Sequence, residues 1–335
     1  MTRALRKAFN GGKPPGFGPA FTVGAFVGDI INTVDFNSGS LRWRAVLFNS
    51  SSVKDATAPI TVGTESLTAA KRPYVFAAGA GGAGGTGSGS GGGGGGGGGS
   101  VFLGRLSAAA AITGDSIRLA VAPADDPTRV KARTTSASLS VLAGRGGAGG
   151  AAGGATGSGV SSTVAAGIDG STMTAHGASG GGAGYSGAKG LGATWTNGIG
   201  SGTVVAGNDG GEDDIAGGGG GGGGSALFAG ISSVSAVGGA GRVGQPVSAY
   251  AFTALSDLLV GVGLPSQYGV GGAGGGFGAA SGGVGIIDGD GGAVGQAGSV
   301  GTTGEGSGGD GNGSSSSVAG GNGLVVLMWP TGFAT

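Results

Sequence analysis

The sequence predicts a mainly β and irregular protein with few or no α-helices. A small N-terminal β unit precedes a glycine-rich body of packed polyproline-II-type (polyglycine-II) helices joined by short β-strands. Three observations predict this. Glycine supplies 92 of the 335 residues, more than a quarter, where about 7% is usual. Its placement is uneven, with 8 glycines in residues 1–78 and 84 in residues 79–335. Apolar residues outside the glycine text come in short alternating runs, as in Phe21, Val23, Ala25 and Val27, the period of a half-buried strand. Collagen is excluded, because no strict G-X-Y frame exists and prolines number only 10. A mean hydropathy of +0.24 opposes wholesale disorder.

In chain order, residues 1–16 read as a basic extended arm carrying Arg3, Arg6, Lys7 and Lys13, with Pro14-Pro15 forbidding helix. No apolar run of secretory length follows the basic stretch, so synthesis and assembly in a cytoplasm are expected. Residues 17–73 read as an N-terminal β attachment domain. Its strand candidates are Phe21–Val27, Ile30–Phe36, Leu41–Phe48 and Ile60–Val62. So few large apolar groups make a marginal domain alone, so it is expected to lean on a partner surface or to self-associate.

Residues 74–335 form the glycine-rich body. Tyr74-Val75-Phe76 opens it, and pure glycine runs occupy 91–99 and 217–224. A β excursion at 100–142 separates glycine texts, with strand signals at Val101–Leu103, Ile117–Val121 and Leu139–Leu142. Ser225–Phe228 follows the second pure run much as Ser100–Leu103 follows the first, so two imperfect copies of one plan are read. Gly323–Pro330, GLVVLMWP, is the strongest strand signal in the chain.

A pure glycine run has no side chains to bury, yet ordering each residue costs roughly 1–2 kcal/mol. Backbone hydrogen bonding and close packing must stabilise it. Polyproline-II geometry makes no internal hydrogen bonds, so every N–H and C=O seeks a neighbouring segment. Missing side chains let the axes approach, and Cα–H···O contacts add a little. An enclosed helix must then be nearly pure glycine, as at 91–99 and 217–224, while an edge helix carries a side chain at every third position. Nine residues at about 3.1 Å each give a rod of roughly 28 Å. A β-sandwich of glycine strands is the alternative, disfavoured because strands prefer side chains on their faces.

Several chemistries are excluded or weak. With no cysteine and one histidine, disulfides and thiolate metal sites are impossible. No catalytic residue, cofactor or metal is expected. GxGxxG matches arise by composition and none sits in a strand–turn–helix unit. The GASGG text at 177–181 beside His176 matches G-x-S-x-G formally but lacks the surrounding architecture. The acidic clusters at 209–214 and 288–290 complete no cation-binding loop and read as solvated turns. The alternating Arg129, Lys131 and Arg133 lack interleaved aromatics, so no nucleic-acid partner is expected. No segment has the roughly 18 apolar residues of a membrane span.

Residues 1–145 carry a net charge of +8 and residues 146–335 a net −8, which implies separate jobs. Bulky residues between glycine segments need their own account, since glycine rods cannot bury them. His176, Tyr185, Trp195, Tyr250 and Tyr268 are therefore candidate recognition residues on a rigid scaffold. Local loop packing or subunit contact is the competing account of the same side chains.

The segments Tyr74–Gly99, Ser100–Leu106, Ile117–Val121, Gly217–Phe228 and Gly323–Trp329 together resemble the glycine-rich domain of bacteriophage tail fibres. They are also similar to the polyglycine-II adhesins at the long-tail-fibre tips of T-even-type phages. The resemblance covers most of residues 74–330. It implies a virion protein that recognises a bacterial surface receptor, a glycan or an outer-membrane protein, through loops between glycine helices. It implies no catalytic residue. A homotrimer is expected from the usual state of fibres. The basic arm (Arg3, Arg6, Lys7, Lys13) and residues 17–73 would attach to tail or baseplate proteins. The alternative is a purely structural virion protein, such as a head fibre or decoration protein.

Overall fold

The computed structural model describes residues 21–23, 31–48, 58–62, 72–88, 91–107, 116–120, 130–134, 140–197, 202–214, 219–224, 229–235, 237–242, 244–264, 266–272, 274 and 318–334. It is mainly β. The strands are β1 (Phe21–Val23), β2 (Ile31–Ser38), β3 (Leu41–Phe48), β4 (Ala58–Val62), β5 (Tyr74–Ala78), β6 (Val101–Leu106), β7 (Ser116–Ala120) and β8 (Val130–Thr134). They continue as β9 (Ser140–Ala143), β10 (Ser162–Ala166), β11 (Ile168–His176), β12 (Trp195–Asn197), β13 (Thr203–Val205), β14 (Gln245–Pro246), β15 (Gln267–Tyr268) and β16 (Leu324–Phe333).

Two seven-stranded sheets result, in the orders β1-β4-β7-β8-β9-β10-β12 and β13-β11-β6-β5-β16-β3-β2. They face each other: β5 and β16 of the second sheet contact β7, β8 and β9 of the first. Phe102 of β6 meets Trp195 of β12 across the gap, ring centroids 5.5 Å apart. Strand β16 sits centrally, Val326 lying opposite Phe76 on one side and Leu47 on the other. It is covered on both faces, which explains its continuous apolar run LVVLMW rather than an alternation. At the β2–β3 hairpin, Arg44 Nε and Nη2 donate to Asp35 at 2.7 Å each. That guanidinium holds the Asp35 carboxyl below its usual range.

The N-terminal strands also pair with strands of the glycine-rich body. Strands β2 and β3 join the second sheet through β16, and β1 and β4 join the first through β7. β1 also pairs with β4 and β2 with β3, so each N-terminal pair extends a sheet of the body by two strands. Residues 1–16, with Arg3, Arg6, Lys7 and Lys13, lie outside the described residues.

The outer face of the second sheet is covered by the helix α1 (Thr253–Gly261). Leu255, Leu258 and Leu259 lie one turn apart and pack with Trp43, Phe76, Leu103, Val326 and Met328. The helix ends where Gly263 takes a φ of +71°, the left-handed conformation that glycine adopts without penalty. Leu264 N–H then donates to Leu259 O at 2.8 Å. Sequence periodicity hides this helix, because Gly261 and Gly263 break the run 258–264 into what reads as a short apolar stretch.

Most strands continue directly into glycine-rich segments. These are 79–88 and 91–100 between β5 and β6, 144–152 and 154–161 between β9 and β10, and 177–185 and 187–194 between β11 and β12. Further segments are 206–214, 219–224, 229–234, 237–242, 269–272 and 318–323. They bond to one another at every third residue. Gly79, Gly82, Gly85 and Ser88 donate N–H groups to the carbonyls of Ser100, Gly97, Gly94 and Gly91 at 2.7–2.9 Å. Gly94, Gly97 and Ser100 donate in turn to Gly150, Gly147 and Gly144. Ser179, Gly182 and Tyr185 donate to Gly98, Gly95 and Gly92.

Segment 91–100 is wholly buried. It exchanges hydrogen bonds with 79–88, 144–152, 177–185, 219–224 and 269–272. A methyl group at Gly93, Gly96 or Gly99 would land on the backbone of 79–88, and one at Gly94 on Gly182. This close approach on several sides is why the text there is pure glycine. Residues 219–224, in the second pure run, are likewise all buried. Outer segments expose every third side chain: Ala155, Ser158 and Ser161 in one, Ala188, Leu191 and Thr194 in another.

Strands and segments are stitched at their junctions. Ser100, Gly144 and Ser162 form a buried circuit. Ser162 Oγ accepts from Gly144 N–H at 2.8 Å and donates to Ser100 Oγ at 2.7 Å, and Ser100 Oγ donates to Gly144 O at 2.9 Å. Replacing Ser162 by alanine strands the Gly144 N–H without water. A loss of about 1–3 kcal/mol is expected by urea unfolding, against no more than about 0.5 kcal/mol for Ser161→Ala on the exposed edge.

Candidate functional site

The segments reverse direction at a series of turns. Ser88 and Gly91 bridge each other across one. Gly153 (φ +75°), Ser186 (φ +60°) and Ser235 (φ +52°) hold the left-handed conformation in three others. The hydrogen-bond register places these turns at one end. Ala152 N–H donates to Thr86 O at 2.8 Å, Gly153 N–H to Tyr185 O at 2.7 Å, and Ser186 N–H to a carboxylate oxygen of Asp213 at 2.6 Å. Ser233 N–H then donates to Glu212 O at 3.0 Å, beside the turn between Val234 and Val237. The turns thus form a continuous row. The sheets and α1 occupy the other end of the same segments.

This row presents small groups, one half-buried tyrosine and an apolar patch. Val234 is 68% exposed, Val237 39% and Ile231 37%. Beside it Lys189 Nζ lies 3.3 Å from Glu212 and 3.9 Å from Asp209. Asp209 also accepts from Gly192 N–H at 2.9 Å, which ties the acidic residues to the segment edges. Such exposed pairs contribute little to stability. Among the described residues no three His, Cys, Asp or Glu side chains are grouped to hold a metal ion. Shape, hydrogen-bonding edges and apolar contact are what this surface offers a partner.

The sequence-nominated residues divide. Tyr185 lies in the row of turns, its N–H donating to Gly92 O at 3.1 Å. The other four belong to the strand end. Trp195 is buried against Phe102, and its indole N–H donates to His176 O at 2.7 Å. His176 is buried at the end of β11, edge-on to Tyr250 at 6.3 Å. Tyr268 is fully buried, T-shaped on Phe76 at 5.0 Å. Tyr250 is half-buried with its hydroxyl enclosed, and that burial pushes its pKa well above the usual tyrosine value.

His176, Trp195 and Tyr268 are therefore corrected from exposed recognition groups to core, and Tyr250 is largely enclosed. The reason is that each falls where a glycine segment has given way to a strand or to the 3₁₀ turn at 247–250. Side chains there meet the sheets and α1 rather than solvent. Phe252 follows the same rule, stacked on Tyr74 with centroids 4.1 Å apart. Nothing in the amino-acid order singles out Val234, Val237 or Ser186, since a valine or serine in glycine text reads alike at a turn and along an edge.

No family model and no curated protein matches the chain.

Proposed function

We propose that the chain is a bacteriophage fibre or spike protein of the virion, in which the row of turns meets the host cell surface. The observation that carries this is the alignment of turns at one end of a backbone-bonded bundle, opposite the two sheets. In this reading the glycine segments are polyglycine-II helices, supported by their three-residue hydrogen-bond repeat and by the enclosure of the pure runs. A Cβ at the glycines of the pure runs would fall under 3.0 Å from a neighbouring segment, so side chains vary most freely at turns and edges. That division suits a rigid display scaffold whose specificity is set at its tip.

The basic arm and the N-terminal strands would face tail or baseplate proteins, and a homotrimer would present three sets of turns. The receptor would be a glycan or an outer-membrane protein, matched by Tyr185 and the Ile231–Val234–Val237 patch. The test is adsorption of the purified protein to a panel of bacteria, with Tyr185→Ala/Val234→Asp as the variant. Binding to one host that weakens at least about tenfold in the variant, at unchanged melting temperature, supports the reading. Absence of binding to every host by the folded wild type replaces it with a purely structural virion role.

A further inference from the structure

We infer a second binding site, at the strand end, for a single neutral sugar residue. Between the β14–β15 ribbon and α1 lies a cavity of about 360 Å³ lined by Pro246, Val247, Ser248, Ser256, Leu259, Val260, Ser266 and Gln267. At about 30 Å³ per molecule, that is the room of about 12 waters. It falls at the small end of ligand pockets. It holds a pyranose ring with its hydroxyls and not a longer chain.

The lining selects the chemistry. Val247 and Leu259 are buried and with Pro246 supply the apolar lining, while Val260 stands exposed at the rim. Three serine hydroxyls and the Gln267 amide supply polar groups that both donate and accept. No lysine, arginine, aspartate or glutamate is among these lining residues, so nothing there selects a charged ligand. No aromatic ring is among these lining residues either, so they offer a nucleobase no stacking face. A sugar, with C–H faces and ringed hydroxyls, matches an aliphatic floor beneath scattered hydroxyls.

Gln267 adds a thermodynamic reason. Its amide oxygen is buried and accepts no hydrogen bond, an arrangement that disfavours the empty state. A ligand hydroxyl that reached this oxygen would supply the donor it otherwise goes without. The ribbon itself is fixed, with Val247 N–H donating to Ser266 O at 2.9 Å.

The test uses the whole purified protein and saturation-transfer NMR with glucose, galactose and N-acetylglucosamine as separate probes. Transfer to at least one sugar is expected, with affinity weakened at least about tenfold by Gln267→Leu. Val260→Trp, at a position 74% exposed, blocks the mouth without entering the core and is expected to abolish transfer even if Gln267→Leu proves unstable. No transfer to any of the three from the wild type, or transfer unchanged by Val260→Trp, overturns the site. Either result leaves the host-adsorption reading standing, because that experiment reads Tyr185 and Val234 at the opposite end.

Discussion

Gly94→Ala, a single added methyl group, is expected to cost more stability than almost any other one-carbon change in the protein. The new carbon would sit on the carbonyl of Gly182, whose N–H is bonded to Gly95 O of the same segment. Neither partner is a side chain that can rotate away. Relief requires parting two backbones, and that breaks the three-residue ladder from 177–185 to 91–100. Overpacking of a side-chain core costs about 1–3 kcal/mol. With only backbone to yield, a loss beyond about 3 kcal/mol is expected, seen as a large fall in urea midpoint or failure to fold. The control is Gly261→Ala at the end of α1, where an added Cβ meets nothing within 4 Å. There alanine should be neutral or stabilising by up to about 1 kcal/mol. Equal losses at the two positions would show that close packing is not what demands glycine at 94.

Trp195→Ala is expected to have the second large effect. Trp195 begins β12 at the edge of the first sheet and packs on Phe102 of the second. Its indole N–H also satisfies the carbonyl of His176, the residue where β11 passes into segment 177–185. Truncation empties a tryptophan-sized space between the sheets and leaves that carbonyl without its indole donor. A loss of about 3–5 kcal/mol is expected, measured by thermal or urea unfolding. Trp195→Phe should recover the packing part and not the hydrogen bond. The same variants separate core from recognition: Trp195→Phe, folded, should leave adsorption to cells intact. Loss of adsorption at full stability would return Trp195 to the recognition surface.

Some of this was legible in the sequence for plain reasons. The apolar runs 41–48, 74–78, 101–103 and 324–329 have strand length and composition, and they are β3, β5, part of β6 and β16. The pure glycine run at 91–99 implied an enclosed segment because only glycine fits when backbones touch on several sides, and that segment is buried throughout. Pairing was not legible. Nothing in Leu41–Phe48 announces that its partner is Leu324–Phe333, since register is fixed by the complementarity of whole faces. Helix α1 escaped because its apolar positions overlap two glycines that read as breakers. The recognition candidates misled because position between glycine segments was taken as exposure. At the strand end the same position means contact with a sheet, and only Tyr185 stands at the turns.

The central place of β16 has a kinetic consequence. It pairs with β3 and β5, and Thr331 Oγ1 donates to Arg42 O across a separation of 289 residues. Until β16 is synthesised, β3 and β5 each lack a partner along one edge, and their apolar faces remain open. Such long-range closure is slow, and unpaired strand edges are prone to wrong association. The nascent chain thus spends most of its translation with its central sheet split, and its yield should depend on chaperones that shield β3 and β5 until the gap is filled.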